Sequence, residues 1–365
     1  MIRRSVKIAA EGIALLVAGT LVITVAVLWR LKSGPVETDF LTPYIVKALD
    51  NALPGQTVHI GSSELVWTDL DDTFDLHLKD FALGGKPDAP LAHVDRLSLR
   101  FSIRTLFSGR LEPVEVALHG PSLMITRDTD GVFHLDVIEP DTSAGDRSLT
   151  NDLILGFAGP DAGPIGAIER LSVEGARFLI ADHMLGFAWD EITGDILLIR
   201  RKGGITGNAS LNVPLYGTTA RLDLNLNHDF ISGPGVLQLD LSGVRPALLA
   251  RKFPALAQGL AGLDTEISAK TTIAYDSSMT VETVPFSIKA DAGRLTLPGM
   301  LREPLDFTRL AIDGRYRHDT GRLNLDESVL DLGGPILGLA GEAIRKDDAI
   351  RVDMEVYAGN IPVAD

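Results

Sequence analysis

From residue 65 to residue 356 the chain repeatedly alternates one apolar and one polar residue over five to eight positions, the period of a half-buried β-strand. Leu76 and Leu78 alternate with His77 and Lys79, and Leu97, Leu99, Phe101 and Ile103 with Ser98, Arg100, Ser102 and Arg104. Val114, Val116 and Leu118 follow the same rule, as do Leu171 and Val173. Further on, Leu222, Leu224 and Leu226 point away from Asp223, Asn225 and Asn227, and Leu237, Leu239 and Leu241 from Gln238, Asp240 and Ser242. Leu323 and Leu325, then Val352, Met354 and Val356, close the series. Asp128-Thr129-Asp130-Gly131, Arg201-Lys202-Gly203-Gly204 and His318-Asp319-Thr320-Gly321 fall between these segments, as hairpin turns would. A chain patterned in this way is mainly β, and each strand has one apolar face to bury.

Helices are expected where the alternation breaks. Thr42–Leu53 places Pro43 near its start, carries Ile45, Val46, Leu49 and Leu53 at helical spacing and stops at Pro54-Gly55. Asn151–Phe157 fits a short helix after the polar linker Glu139–Ser148, and residues 246–260 read as a helical insertion broken at Pro254. Ahead of the strands, Gly12–Trp29 holds no charged residue, and at about 1.5 Å per residue it reaches roughly 27 Å, close to a bilayer's hydrocarbon thickness. Its length and the lack of a small-residue cleavage motif favour a retained signal anchor over a cleaved leader. Arg3, Arg4 and Lys7 before it, against Arg30 and Lys32 after it, favour a cytoplasmic N-terminus. Everything after residue 32 is then exported, which in a Gram-negative cell means the periplasm. The expected divisions are an anchor at 1–32, a helix with a β segment at 33–138, a linker with a short helix at 139–160, and β repeats over 161–365.

Composition removes several functions. A formal charge of −15 argues against a nucleic-acid partner, which would need clustered Lys and Arg. With no cysteine there is no thiolate metal site and no Cys nucleophile. His59, His77, His93, His119, His134, His183, His228 and His318 are scattered without ligand spacing, and His77 and His119 read as solvated residues on the polar side of strands. Asp69, Asp71, Asp72 and Asp75 approach the spacing of a calcium loop, but Phe74 stands where Gly is needed and Asp80 where a bidentate Glu belongs, so a charged hairpin tip is expected. No pattern calls for a metal or a cofactor, and the expectation is a protein that is not an enzyme.

The apolar face can be buried in three ways: by a second sheet, by closure into a barrel, or by a ligand on a curved sheet. Base rates favour a sandwich. Several stretches resemble a particular family. LTPYIVKALDNALPGQTVHIGSSELVW at 41–67 carries Ile60, Gly61, Leu65 and Trp67; the region after it carries Leu106, Gly109, Pro113, Gly120-Pro121, Arg127 and Asp130-Gly131. Together with residues 250–269 and 292–335, these resemble the AsmA-like, YhdP-type inner-membrane proteins. The resemblance implies a transmembrane helix followed by an elongated, curved antiparallel β-groove with a few short helices, which carries phospholipid between the inner and outer membranes. It also implies a longer protein, of which these residues would be the membrane-proximal part. Its partners would be phospholipid acyl chains, the inner membrane through the N-terminal helix, and outer-membrane or other envelope proteins. On this reading Leu222, Leu224, Leu226, Leu237, Leu239, Leu241, Leu323 and Leu325 face lipid. A periplasmic scaffold for outer-membrane proteins, with an ordinary sandwich core, is the alternative.

Overall fold

A computed structural model describes residues 30, 34–52, 58–68, 73–83, 92–102, 112–130, 133–137, 167–184, 186–215, 217–252, 260–278, 280–296, 302–346 and 349–359. The apolar run Gly12–Trp29, the linker and the helix expected at Asn151–Phe157 lie outside these residues. Among the described residues no helix is long and apolar enough to cross a membrane. The chain is mainly β and separates into two compact units, with the division at Gly120 and Pro121.

The first unit contains β1 (Val36–Glu37), a 3-10 turn at Asp39–Leu41, α1 (Thr42–Ala52), β2 (Val58–His59), β3 (Ser62–Thr68), β4 (Thr73–Leu83), β5 (Ala92–Ser102) and β6 (Pro113–His119). The antiparallel order is β1-β3-β4-β5-β6, and β2 continues along the β3 side of β4. At the break between β2 and β3, Gly61 faces Asp80, whose φ of 50° is left-handed, so both strands bend at one level. Val58, Ile60, Leu78 and Leu97 form the buried core, and Ile45 and Val46 of α1 pack on it. The predicted helix therefore lays Ile45 and Val46 of its apolar face on the sheet. Its start is held by hydroxyls: Thr38 and Thr42 each place Oγ1 3.0 Å from Ser63 Oγ, and the Ser63 N–H donates to Asp39 at 2.9 Å.

The second unit contains β7 (Ser122–Arg127), β8 (Phe133–Val137), β9 (Arg170–Asp182), β10 (Phe187–Arg201), β11 (Gly204–Leu215), β12 (Thr218–Asp229), β13 (Gly235–Val244), α2 (Pro246–Lys252), β14 (Leu263–Asp264), β15 (Ile267–Tyr275), β16 (Thr283–Ala290), β17 (Gly293–Leu295), β18 (Leu305–Phe307), β19 (Arg309–Arg317), β20 (Arg322–Asp331), β21 (Ile336–Lys346) and β22 (Ala349–Gly359). One sheet runs in the order β8-β7-β9-β10-β11-β12-β13-β15-β16-β19-β20-β21-β22. The sheet is mixed, which corrects the antiparallel expectation: β7 and β9 run parallel, with Ile125 beside Ile180, after an antiparallel β7–β8 hairpin. Alternation records only the two faces of a strand and carries no information about its direction. β14, β17 and β18 form a separate small sheet. Of the helical insertion expected at 246–260, α2 accounts for Pro246–Lys252.

Irregularities interrupt the ladders between Trp189 and Ile192, where Glu191 has a φ of 61°, and between Leu241 and Val244, where Gly243 has a φ of 74°. Two more fall between Ala311 and Gly314 and between Leu325 and Ser328. Each inserts residues into one strand and raises the local twist.

Candidate functional site

Residues directly opposite each other in an antiparallel ladder point to the same face. Followed strand by strand, the pairings give the row Ile196, Ala209, Leu224, Leu239, Thr271, Phe286, Gly314, Leu325, Gly341, Met354. At about 4.8 Å between strands this row extends roughly 40 Å. A parallel row passes through Leu211, Leu222, Leu241, Ala269, Ile288 and Ile312, and another through Gly207, Leu226, Leu237 and Ile273. Leu323, opposite Tyr316 and Ala343, continues the same face. All eight leucines singled out in the sequence therefore share one face of one sheet.

The few interruptions in the row are filled. The Thr271 hydroxyl donates to the Pro285 carbonyl at 2.6 Å, so it turns away from the face. The Phe286 ring lies over Gly314, and Met354 lies against Gly341, where an added Cβ would come within 2.8 Å of its sulfur.

The reverse face is polar. Asp195, Ser210, Asp223, Asp240, Lys270, Ser287 and Asp313 form its corresponding row. Ser210 donates to Asp223 at 2.6 Å, Arg221 pairs with the same carboxylate at 2.9 Å, and Lys270 pairs with Asp240. The Arg221 and Ser210 hydrogen bonds hold the Asp223 carboxyl below its ordinary range.

Burial of the apolar face is uneven. Phe178 opposite Ile192, and Val213 opposite Ala220, are buried, with Ile192 only 1% exposed. The eight leucines, further along the same strands or further across the sheet, are all half-buried. A second sheet packed on them would have sealed them as it does in a sandwich core. Among the described residues β22 pairs only with β21.

At one end of β10, β12 and β15 the apolar rows finish in a different chemistry. One ladder step beyond Leu198, Leu226 and Ile273 the same face carries Arg200, His228 and Tyr275. The Arg200 guanidinium lies 5.6 Å from the Phe230 ring centroid, and the His228 ring is 5.7 Å from those of both Phe230 and Tyr275. The Tyr275 ring fills the space above Gly235. Sequence reasoning placed His228 only among the scattered histidines and passed over Arg200 and Tyr275, although each of the three stands two residues past an apolar residue of its own strand.

The other sequence candidates lie on the polar side of the first unit. His77 Nδ1 is 3.2 Å from Glu64, and His119 Nε2 is 3.2 Å from Ser98 Oγ, so both are held in the sheet rather than freely solvated. Asp75 is no hairpin-tip residue: it lies inside β4 and receives Arg100 through Nε at 2.7 Å and Nη2 at 3.0 Å, while Arg100 Nη1 reaches Glu115. Residues 69–72, the rest of that acidic group, lie outside the described residues. Among the described residues no His, Asp and Glu side chains gather as a metal site would require. No protein family, curated protein or solved structure matches the chain.

Proposed function

We propose that this chain is a membrane-anchored periplasmic lipid-transfer protein, not an enzyme, in which a curved apolar groove helps to move phospholipid between the inner and outer membranes. The observation that carries the reading is the single-faced row from Ile196 to Met354, apolar but for Thr271 and flanked by leucines that stay half-buried. Acyl chains laid on that face would gain about 0.8 kcal/mol per buried CH₂, enough for a chain to compete with its place in a bilayer. Many near-equivalent apolar positions succeed one another across the strands, so a chain could advance without leaving one deep well. The polar reverse face keeps the sheet soluble. The run Gly12–Trp29 would fix the protein in the inner membrane, N-terminus in the cytoplasm.

The test is lipid capture by the full chain purified in mild detergent, with a photo-reactive residue at Leu224, Leu239 or Asn225. Lipid adducts at the two leucines and none at Asn225, on the opposite face, support the groove. A protein free of lipid by mass spectrometry, with no adduct at either leucine, removes it.

A further inference from the structure

We propose that Arg200 and His228, with the rings of Phe230 and Tyr275, form a rim site for the phosphate of the lipid whose chains lie on the leucine rows; this rests on the groove reading above. The placement carries it. Arg200, Ile205, His228, Gly235 and Tyr275 form one ladder row on the apolar face, immediately beyond Gly207, Leu226, Leu237 and Ile273. A lipid whose acyl chains follow the leucines toward this end brings its phosphate to the row where the face turns from aliphatic to cationic and aromatic.

The chemistry of the row suits that group. A guanidinium presents a planar fork of N–H donors that matches phosphate oxygens. Stacking on Phe230 holds the Arg200 fork on this face, at the end of the leucine rows. His228 Nδ1 is buried and has no hydrogen-bond partner among the described residues, an arrangement that a ligand acceptor would relieve. The Asp229 carboxylate, next in sequence to His228, accepts the Ile231 and Ser232 N–H groups of its own turn. Lys202 is exposed in the adjoining β10–β11 turn and adds positive potential in a chain whose overall charge is −15. Tyrosine and phenylalanine beside cations are also the side chains that suit the boundary between acyl chain and headgroup.

The experiment compares two probes with identical chains, dioleoyl phosphatidic acid and dioleoylglycerol, retained by the full chain in mild detergent and quantified by mass spectrometry. The native protein should retain the phosphate-bearing lipid about tenfold better, in line with charge-assisted hydrogen bonding. The double substitution Arg200→Gln with His228→Gln should bring the ratio close to one without lowering dioleoylglycerol retention. Arg201→Gln, on the opposite face by ladder parity, should leave the preference in place. Arg200→Lys keeps the charge but loses the planar fork and its stacking on Phe230, so it should lower the preference several-fold; it carries the test if thermal unfolding shows the double variant to be misfolded, and an unchanged preference in it then overturns the rim site. Equal retention by the native protein, or a preference that survives the double substitution, overturns the rim site and leaves the groove. Retention of neither lipid overturns both. Loss of the preference in excess inorganic phosphate, with phosphate itself bound, identifies a free-anion site and overturns the lipid assignment.

Discussion

Phe286 lies directly across the β16–β19 ladder from Gly314, and its ring fills the space that a side chain at 314 would need. An added Cβ would come 2.6 Å from the ring and 2.6 Å from the Asn324 carbonyl oxygen. One position on the apolar face is thus covered from the neighbouring strand, and the aliphatic surface continues across a glycine. Gly314→Val should destabilise the protein by about 1–3 kcal/mol, because the ring and the backbone must both yield. Gly334 has no atom within 4 Å of an added Cβ, so Gly334→Ala should change stability little. Thermal unfolding of the two variants checks the contrast; equal melting temperatures would show that the ring does not occupy that space.

The face separates residues that hold the fold from residues proposed to hold lipid. Ile192 and Ile205 are 1% and 2% exposed, and truncating either to Ala should cost about 2–4 kcal/mol through lost contacts and a cavity. Leu224 and Leu239 sit opposite each other on the same face but half-buried. Leu224→Gln with Leu239→Gln should cost about 1 kcal/mol or less and still lower co-purifying lipid several-fold. Unfolding in urea beside lipid quantification distinguishes the classes. A large loss of stability in the leucine variant with unchanged lipid would assign those leucines to a protein core.

Most of this architecture was legible as strands, for a physical reason: one face of each must be apolar, so Leu222, Leu224 and Leu226 declare β12 without any tertiary information. Which strands share a face was not legible. Between β12 and β20 the ladder passes irregularities at Leu241/Val244 and Ala311/Gly314, and each shifts the residue count by which parity would be carried forward. The parallel β7–β9 pair was hidden because alternation has no direction. Asp75 was misplaced for a related reason: an acidic cluster in sequence ignores the cross-strand partner, and only the β4–β5 register brings Arg100 opposite it. The rim group was within reach, since Arg200, His228 and Tyr275 each stand two residues past an apolar position of their own strand.

Arg100 bridges two carboxylates across three strands, bidentate to Asp75 and with a further bond to Glu115, all on the polar face of the first unit. The contacts to Asp75 and Glu115 differ in kind, since Asp75 takes two parallel bonds and Glu115 one. Hydrogen bonding to Asp75 raises the Arg100 pKa above its ordinary value, foremost among the causes. Arg100→Met should destabilise by about 2 kcal/mol, below the 3–5 kcal/mol of a sealed pair because the arginine side chain is 35% exposed. Restoring neutrality with Asp75→Asn and Glu115→Gln in the same chain should recover part of that loss. Denaturant unfolding of the single and triple variants measures both, and a triple variant no more stable than the single one would assign the loss to packing of the arginine stem.

Glu64 gives the first unit an acid-sensitive contact. The Lys79 ammonium, 2.8 Å away, is the largest influence lowering its pKa, and His77 adds to it, against an opposing push from burial. The folded pKa therefore lies below the ordinary 4.5, so the unfolded chain binds this proton more readily than the folded one. The contribution to stability is complete above pH 4.5 and disappears as the pH falls through the lower folded value. Glu64→Gln removes the titrating group, so the native protein should lose its advantage over the variant on acidification below pH 4.5. Urea midpoints measured between neutral and strongly acidic pH report the difference, and parallel curves for the two proteins would show that the Lys79 contact contributes nothing to folding.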